Sequence, residues 1–120
     1  MPEIRVLIVD DQPAFRSRLC QLLTYAGLLV VGEAGSISEA VDLARELQPA
    51  LALVDVMLPG ESGVDGIPKL KAAVKDLRII LMSAHQDSAQ VLQQSARKMG
   101  AEMFVPKEDL DLEFVRQWTE

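Results

Sequence analysis

The sequence predicts a doubly wound α/β fold with one five-stranded parallel sheet and helices on both of its faces. Short aliphatic runs alternate with longer segments of helical periodicity, the runs are apolar on both faces, and polar residues follow them directly. Such alternation is built from right-handed crossovers between parallel strands. We therefore expect the polar strand ends to meet at the carboxyl edge of one sheet.

The first strand is predicted over residues 4–9, a β-branched run that ends at Asp10 and Asp11. Pro13 suits the first turn of the following helix, and Gly27 suits the position after its last turn. Apolar residues recur between them at helical spacing, at Phe15, Leu19, Leu22, Leu23 and Ala26. We expect this stripe to face the sheet.

Residues 28–31, continuing toward Ala34, predict the second strand. Ser36, with Glu39 three residues later, has the capping-box pattern that opens a helix, and Pro49 stops that helix. Its apolar stripe comprises Ile37, Ala40, Val41, Ala44 and Leu47. A second helix therefore presents one apolar face to the sheet.

Residues 50–54 predict a third strand that carries Asp55 to its end. A carboxylate in a strand buried on both faces is costly unless it lies at the strand's exit or has polar partners. Pro59 and Gly60 predict a loop after it. A third helix then runs to about residue 75, with an inner face of Ile67, Leu70 and Val74, and the positions of Gly66 and Pro68 leave its start open.

Residues 78–82 predict the fourth strand, ending at Ser83, and residues 87–99 predict a helix capped by Gly100. Residues 102–105 predict the fifth strand, which is followed by Lys107. A final helix directs three apolar residues inward, namely Phe114, Val115 and Trp118.

The strand ends thus bring Asp10, Asp11, Asp55, Ser83 and Lys107 to one edge. Three carboxylates held close together repel one another, and the usual resolution is a raised pKa or a bound hard cation. We expect Mg²⁺, which takes one or two carboxylates together with phosphate oxygens. One of the three acids is then left for chemistry.

Composition narrows the class of protein. The chain has 120 residues, 49% of them hydrophobic and 4% aromatic, which suits one soluble domain with an aliphatic core. A net charge of −6 argues against nucleic-acid binding by this chain alone. Cys20 has no partner for an internal disulfide, and we find neither a membrane-spanning run nor a leader. We expect a cytoplasmic protein without membrane contact.

Four motifs, taken together, resemble those of the receiver domain of bacterial two-component response regulators. They are residues 9–13 (VDDQP), 54–60 (VDVMLPG), 83–84 (SA) and 104–107 (FVPK). The stretch 31–34 (VGEA) and the last motif are most similar to the subfamily with a LuxR/NarL-type helix-turn-helix output domain. The resemblance implies a flavodoxin-like fold, a receiver domain over residues 1–120 and no output domain in this chain.

The resemblance also implies roles for the strand-end residues. Asp55 would accept a phosphoryl group from a sensor histidine kinase or phosphotransfer protein, which makes the chain a regulatory domain and not an enzyme with a substrate of its own. Asp10, Asp11, Asp55 and the backbone carbonyl of Met57 would hold Mg²⁺. Lys107 would pair with the phosphoryl oxygens, and a metal plus an ammonium would supply most of the catalysis.

Ser83 and Phe104 would form the switch that senses the phosphoryl group, with serine where family members more often have threonine. The change would reach a surface made by the fourth helix, fifth strand and fifth helix, and so permit a homodimer. DNA would be bound only through an output domain. Met57 and His85 stand where the family tunes the lifetime of the acyl phosphate.

Three other functions stay open. A stand-alone receiver would act by protein–protein contact, and a degenerate receiver would act without phosphate although the acids here are intact. A Mg²⁺-dependent phosphohydrolase of the haloacid-dehalogenase type needs a second acid two residues after its nucleophile, where this chain has Met57. The site residues also have structural interpretations: Asp10 and Asp11 as a helix cap and a solvated acid, Lys107 as a surface cation, Ser83 as a turn residue, Phe104 as a core aromatic and His85 as an exposed loop residue.

Overall fold

The structure, a computed structural model, describes residues 3–84 and 89–119. One parallel sheet has the strand order β2-β1-β3-β4-β5. Its strands are β1 Arg5–Val9, β2 Leu29–Ala34, β3 Leu51–Asp55, β4 Arg78–Ser83 and β5 Met103–Pro106. The helices are α1 Pro13–Tyr25, α2 Ile37–Leu47, α3 Gly63–Ala73, α4 Ala89–Met99 and α5 Leu112–Arg116. The predicted fold class is therefore confirmed, with strand boundaries that differ by one or two residues.

Strand register brings the carboxyl ends of the strands into line. Val9 pairs with Val54, so Asp10 and Asp55 follow neighbouring residues of two adjacent strands. Ser83 of β4 pairs with Pro106 of β5, which places Lys107 one residue beyond the end of that pairing. The order of strands reverses at β1, and in open parallel sheets this reversal is where ligands bind.

The core consists of two apolar clusters, one on each face of the sheet. Alternate residues of each strand point to opposite faces, so Leu7 and Val9 enter one cluster while Val6 and Ile8 enter the other. Helices α2, α3 and α4 contribute to the first cluster, and α1 and α5 contribute to the second. All five residues of β3 are buried, as its continuous apolar run predicts.

The predicted helix ends are largely confirmed. The Ser36 hydroxyl accepts a hydrogen bond from the Glu39 backbone N–H at 3.2 Å at the start of α2. Gly27 and Gly100 have φ of +98° and +104° after α1 and α4, in the left-handed region that glycine favours. Helix α3 begins at Gly63 and ends at Ala73, two residues before the predicted end.

The end of the chain differs in detail from the prediction. The last helix is short, because α5 gives way to a 3₁₀ turn over Gln117–Thr119, and another 3₁₀ turn, Lys107–Asp109, follows β5 directly. Val115 and Trp118 are buried as predicted, whereas Phe114 is only partly buried. The predicted first residues of the fourth helix, 87 and 88, lie outside the described residues, and so does His85.

The edge strand β5 is hydrogen-bonded to a side chain of α4. The Gln93 side-chain amide donates to the carbonyl of Phe104, and its oxygen accepts from the Phe104 N–H at 3.0 Å. These bonds satisfy backbone groups that an edge strand otherwise leaves unpaired. Across residues 3–84 and 89–119, no helix combines the length and apolarity that crossing a membrane requires.

Candidate functional site

Asp10 is the most deeply placed acid at the carboxyl edge. It is fully buried, its N–H donates to the Ala34 carbonyl at 2.9 Å, and its Oδ1 accepts from the Gln12 N–H at 2.8 Å. Asp11, the next residue, is exposed. The two adjacent acids thus differ in environment: one is fixed by the strand end and the turn, and the other faces solvent.

Asp55 ends β3 beside Asp10. It is 4% exposed, and its Oδ1 accepts from the Met57 N–H at 3.0 Å, so the turn after the strand orients the carboxylate. The predicted costly acid therefore lies at the strand's exit and has polar partners, as expected. The Met57 side chain itself is 66% exposed.

Lys107 joins the two buried acids. Its Nζ lies 2.7 Å from Asp10 Oδ2 and 3.0 Å from Asp55 Oδ2, and its side chain is 10% exposed. A buried arrangement of this kind is coupled, because removing one charge leaves the others uncompensated. The interpretation of Lys107 as a solvated surface cation is therefore excluded by its burial.

Burial raises the pKa of the Asp55 carboxyl, and the nearby charge of Asp10 raises it further. The hydrogen bonds from Met57 and Lys107 oppose this shift without cancelling it. Burial alone would lower the pKa of the Lys107 ammonium, but its bonds to Asp10 and Asp55 outweigh burial and raise it. The site thus favours the protonated form of Lys107, and it makes ionisation of the Asp55 carboxyl less favourable than in water.

Ser83 and Phe104 lie on the two neighbouring strands. Ser83 is 5% exposed at the end of β4, and the ring of Phe104 is buried in the core cluster that also contains Ala96 and Ala101. Phe104 is thus a core aromatic whose backbone is held by Gln93 of α4.

Arg16 holds the backbone of Asp10 in place, a role that we did not predict from the sequence. Its Nη1 donates to the Asp10 carbonyl at 2.6 Å, and its Nε lies 3.4 Å from Glu33 Oε1 of β2. The arginine thus fixes the backbone of the turn between β1 and α1. The only sequence signal was a basic residue one helical turn after Asp11 and Gln12, which many solvated helices share.

The oxygens suit a hard cation. One carboxylate oxygen each from Asp10, Asp11 and Asp55 lie within 4.8 Å of one another. Within the described part of the chain, Asp10 Oδ2 is a buried oxygen without a well-aligned hydrogen bond, although Lys107 is near enough for charge pairing. Three carboxylates with oxygens this close form an all-oxygen donor set, which fits Mg²⁺.

A groove of about 500 Å³ adjoins this cluster between α1 and the turn after β5. Phe15, Leu19, Leu22 and Leu110 form its apolar part, and Lys107 lies at the end near the acids. The Lys107 Nζ is 4.3 Å from the centroid of the Phe15 ring. Sequence periodicity predicted Phe15 only as part of an apolar stripe, and the structure adds its contact with the lysine.

The sequence matches a family model and several characterised proteins. The family model described as the response regulator receiver domain matches residues 6–115. The chemotaxis protein CheY of Thermotoga maritima is 38% identical over 103 residues, which are 86% of this chain and 84% of that protein. The nitrate/nitrite response regulator NarL of Escherichia coli K12 is 33% identical over 104 residues, which are 86% of this chain and 47% of that protein.

Among solved structures, a chain in the CheX–CheY–BeF₃–Mg²⁺ complex from Borrelia burgdorferi matches with a TM-score of 0.85 and 26% identity, covering 99% of this chain and 87% of that one. The matched part of this chain spans most of the chemotaxis protein CheY but only about half of NarL. The similarity covers the whole sheet and the acidic edge.

Proposed function

This chain belongs to the family of response regulator receiver domains, and on that premise we propose that it is a phosphorylation-dependent switch whose acceptor is Asp55. The observation that carries the proposal is the buried group in which Lys107 lies within 3.0 Å of both Asp10 and Asp55. It combines a nucleophile, a cation and a further carboxylate at the carboxyl edge of the sheet. These are the components that phosphoryl transfer needs.

In the transfer, an oxygen of the Asp55 carboxylate forms a bond to phosphorus. The bond from phosphorus to the donor atom breaks, and its electron pair leaves with the donor. Lys107 lies where it can exchange the Asp55 oxygen for a phosphoryl oxygen, since its Nζ is already 3.0 Å from that carboxylate. The Met57 N–H holds the other carboxylate oxygen and so fixes the direction of attack.

We assign Asp10, Asp11 and Asp55 as the residues that hold Mg²⁺, with the backbone carbonyl of Met57 as a further ligand. When bound, the ion neutralises charge on the acids and on the phosphoryl oxygens. Asp10 supplies a buried oxygen and Asp11 an exposed one, so the cation can reach the site from the solvent side. A Borrelia burgdorferi relative was solved with BeF₃ and Mg²⁺, which supports this assignment.

The test uses acetyl phosphate with Mg²⁺ and intact-mass measurement. We expect wild type to gain one phosphoryl group and Asp55→Asn to gain none, because an amide is not a nucleophile for phosphorus. Asp76→Asn, an exposed acid between α3 and β4, is the matched control and should behave as wild type. Retention of the mass gain by Asp55→Asn would sink the assignment. Repeated turnover of phosphate esters by wild type would instead favour a phosphohydrolase.

Mg²⁺ alone should stabilise the metal-free protein. At a concentration one hundred times its Kd, a ligand that binds only the folded state adds about 2.7 kcal/mol to the free energy of unfolding, and the melting temperature rises accordingly. Asp11→Asn should lose most of this shift, whereas Asp76→Asn should keep it. Because Asp11 is exposed, its substitution leaves the metal-free fold intact. Equal stabilisation of Asp11→Asn and wild type by Mg²⁺ would rule out Asp11 as a ligand.

We further propose that Ser83 and Phe104 transmit the phosphorylated state. A phosphoryl group adds roughly −1.5 to −2 charges and three acceptors, which a serine hydroxyl at the end of β4 can bind. The backbone of Phe104 is tied to α4 through Gln93, so a change at β4 and β5 would be felt by that helix. The surface of α4, β5 and α5 is thus the proposed output or homodimer face.

The donor is proposed to be a sensor histidine kinase or a phosphotransfer protein. The relatives include NarL, a nitrate/nitrite response regulator about twice as long as the matched region. They support a role in transcription regulation through an output domain, which alone would contact DNA. The match to CheY over most of its length supports the alternative of a receiver that acts by protein–protein contact.

A further inference from the structure

The Lys107 ammonium has three neighbours, and one of them is aromatic. Two are the carboxylates of Asp10 and Asp55, at 2.7 and 3.0 Å, and the third is the ring of Phe15, whose centroid is 4.3 Å from Nζ. An ammonium has three N–H groups and no acceptor, so two carboxylates leave one side for another partner. The face of an aromatic ring attracts a cation at this distance.

The ring is held independently of the lysine. Phe15 lies in the first turn of α1 and packs against the core cluster that includes Leu19 and Ile8. It is partly buried, and with Lys107 it lines the groove beside the site. A side chain fixed by packing can therefore fix a long and flexible neighbour, whose four-carbon stem otherwise has considerable rotamer freedom.

We propose that Phe15 is a positioning residue for phosphoryl transfer, whose ring holds the Lys107 ammonium beside Asp55 while the lysine exchanges a carboxylate oxygen for a phosphoryl oxygen. This inference rests on the proposed function. During the exchange Lys107 gives up one of its carboxylate bonds. A contact with Phe15 that persists would keep the ammonium from swinging into the groove, and so would act mainly on the transfer step.

A role of Phe15 in packing alone predicts a different effect of substitution on the rate of transfer. If Phe15 only filled space, leucine would lower stability somewhat, because it is apolar but smaller, and would have little effect on transfer. If the ring matters through its π face, leucine should slow transfer while tyrosine and tryptophan should not. Phe114 of α5 offers a matched control, since it is also partly buried but its ring packs edge-on against Trp118, 5.8 Å away.

The first measurement reads the contact itself. In protein labelled with ¹³C-lysine, the methylene next to the Lys107 ammonium should show an upfield ring-current shift, assigned by its loss in Lys107→Arg. We expect the shift to disappear in Phe15→Leu, to remain in Phe15→Tyr and to be unchanged in Phe114→Leu. This readout needs neither phosphate nor metal. Absence of the shift in wild type would overturn the inference.

The second measurement is the rate of phosphorylation by acetyl phosphate across a range of its concentrations, with Mg²⁺ present. We expect Phe15→Leu to lower the maximal rate about twofold to thirtyfold, the range that a cation–π contact covers when its free energy is converted into rate, with little change in the half-saturating concentration. Phe15→Tyr should recover most of the rate. Thermal unfolding of each variant establishes that it is folded. If Phe15→Leu does not fold, Phe15→Met is measured instead.

The outcomes separate the two proposals. If wild type takes up no phosphoryl group, the proposed function fails and this inference fails with it. If wild type and Phe15→Leu are phosphorylated at equal rates, or if Phe114→Leu slows transfer as much as Phe15→Leu does, only the role of Phe15 is refuted.

Discussion

Replacing Gly63 by alanine is expected to destabilise the protein by about 3 kcal/mol, the upper end of the usual cost of overpacking and a large part of a typical domain's total stability. Gly63 opens α3 and packs against the end of β3. A Cβ at this position would overlap the carbonyl oxygen of Asp55 and lie 2.9 Å from its carbonyl carbon. These are backbone atoms at the end of the central strand, so they cannot move aside as a flexible side chain would.

The higher helix propensity of alanine would stabilise the Gly63→Ala variant, but this effect is smaller than the steric cost. Alanine is favoured over glycine in a helix by roughly 1 kcal/mol, which would stabilise α3 if the space existed. Because the overlap involves main chain, we expect the steric cost to exceed this gain. Any backbone shift that relieves the overlap also moves Asp55, so phosphorylation should slow as well.

Urea denaturation measures the effect on the free energy of unfolding. Gly35→Ala is the matched control, since a Cβ there would meet Arg16 Nη1 at 3.4 Å and Asp11 Cα at 4.0 Å, which is ordinary contact. It should change stability by no more than about 0.5 kcal/mol. Equal losses for the two variants would show that the close approach of Gly63 to Asp55 does not limit the fold.

Lys107→Met is the second substitution with a large expected effect. It leaves Asp10, which is fully buried, and Asp55, whose side chain is 5% exposed, without their shared cation. Removing one partner of a buried ion pair costs about 3–5 kcal/mol, because the remaining charge is uncompensated. We expect a loss of this order in metal-free protein at neutral pH. Lys75→Met, an exposed lysine after α3, should cost almost nothing.

The loss should depend on pH in a definite direction. The pKa of Asp55 is already raised by burial, and removing Lys107 takes away bonds that lower it. The folded variant therefore binds the Asp55 proton more tightly than the unfolded chain does. As pH falls from neutral toward the folded-state pKa, the folded variant gains stability relative to the unfolded chain, so the deficit relative to wild type narrows.

At high pH the difference in free energy of unfolding between wild type and Lys107→Met should also narrow, for another reason. The pKa of Lys107 is raised in the folded protein, so its contribution to stability is present below the ordinary lysine pKa and is lost as pH rises through the raised value. Asp10→Asn combined with Lys107→Met should recover part of the stability at neutral pH. A deficit that is equal at all pH values, or equal to that of Lys75→Met, would contradict the proposed charge coupling.

The sequence alone determined the elements of the sheet and the residues at its carboxyl edge. Hydrophobic periodicity and the residues that end each segment were sufficient for this. Four of the five strands are short apolar runs that lead directly to Asp10, Asp55, Ser83 or Lys107, and parallel strands bring such ends together. The capping pattern at Ser36 was also local, and the structure confirms it. The final helix was less accurately predicted, since apolar spacing does not distinguish an α-helix from a short helix continued by a 3₁₀ turn.

How those residues are paired, and which neighbours support them, depends on the packing of distant parts of the chain. The contact of Lys107 with Phe15 joins residues far apart in the chain, and the tie between Arg16 and Glu33 depends on how α1 lies over β2. The close approach of Gly63 to Asp55 depends on the path of the loop after β3. Distances of this kind follow from packing, which local periodicity does not encode, whereas strand order and edge chemistry follow from the pattern itself.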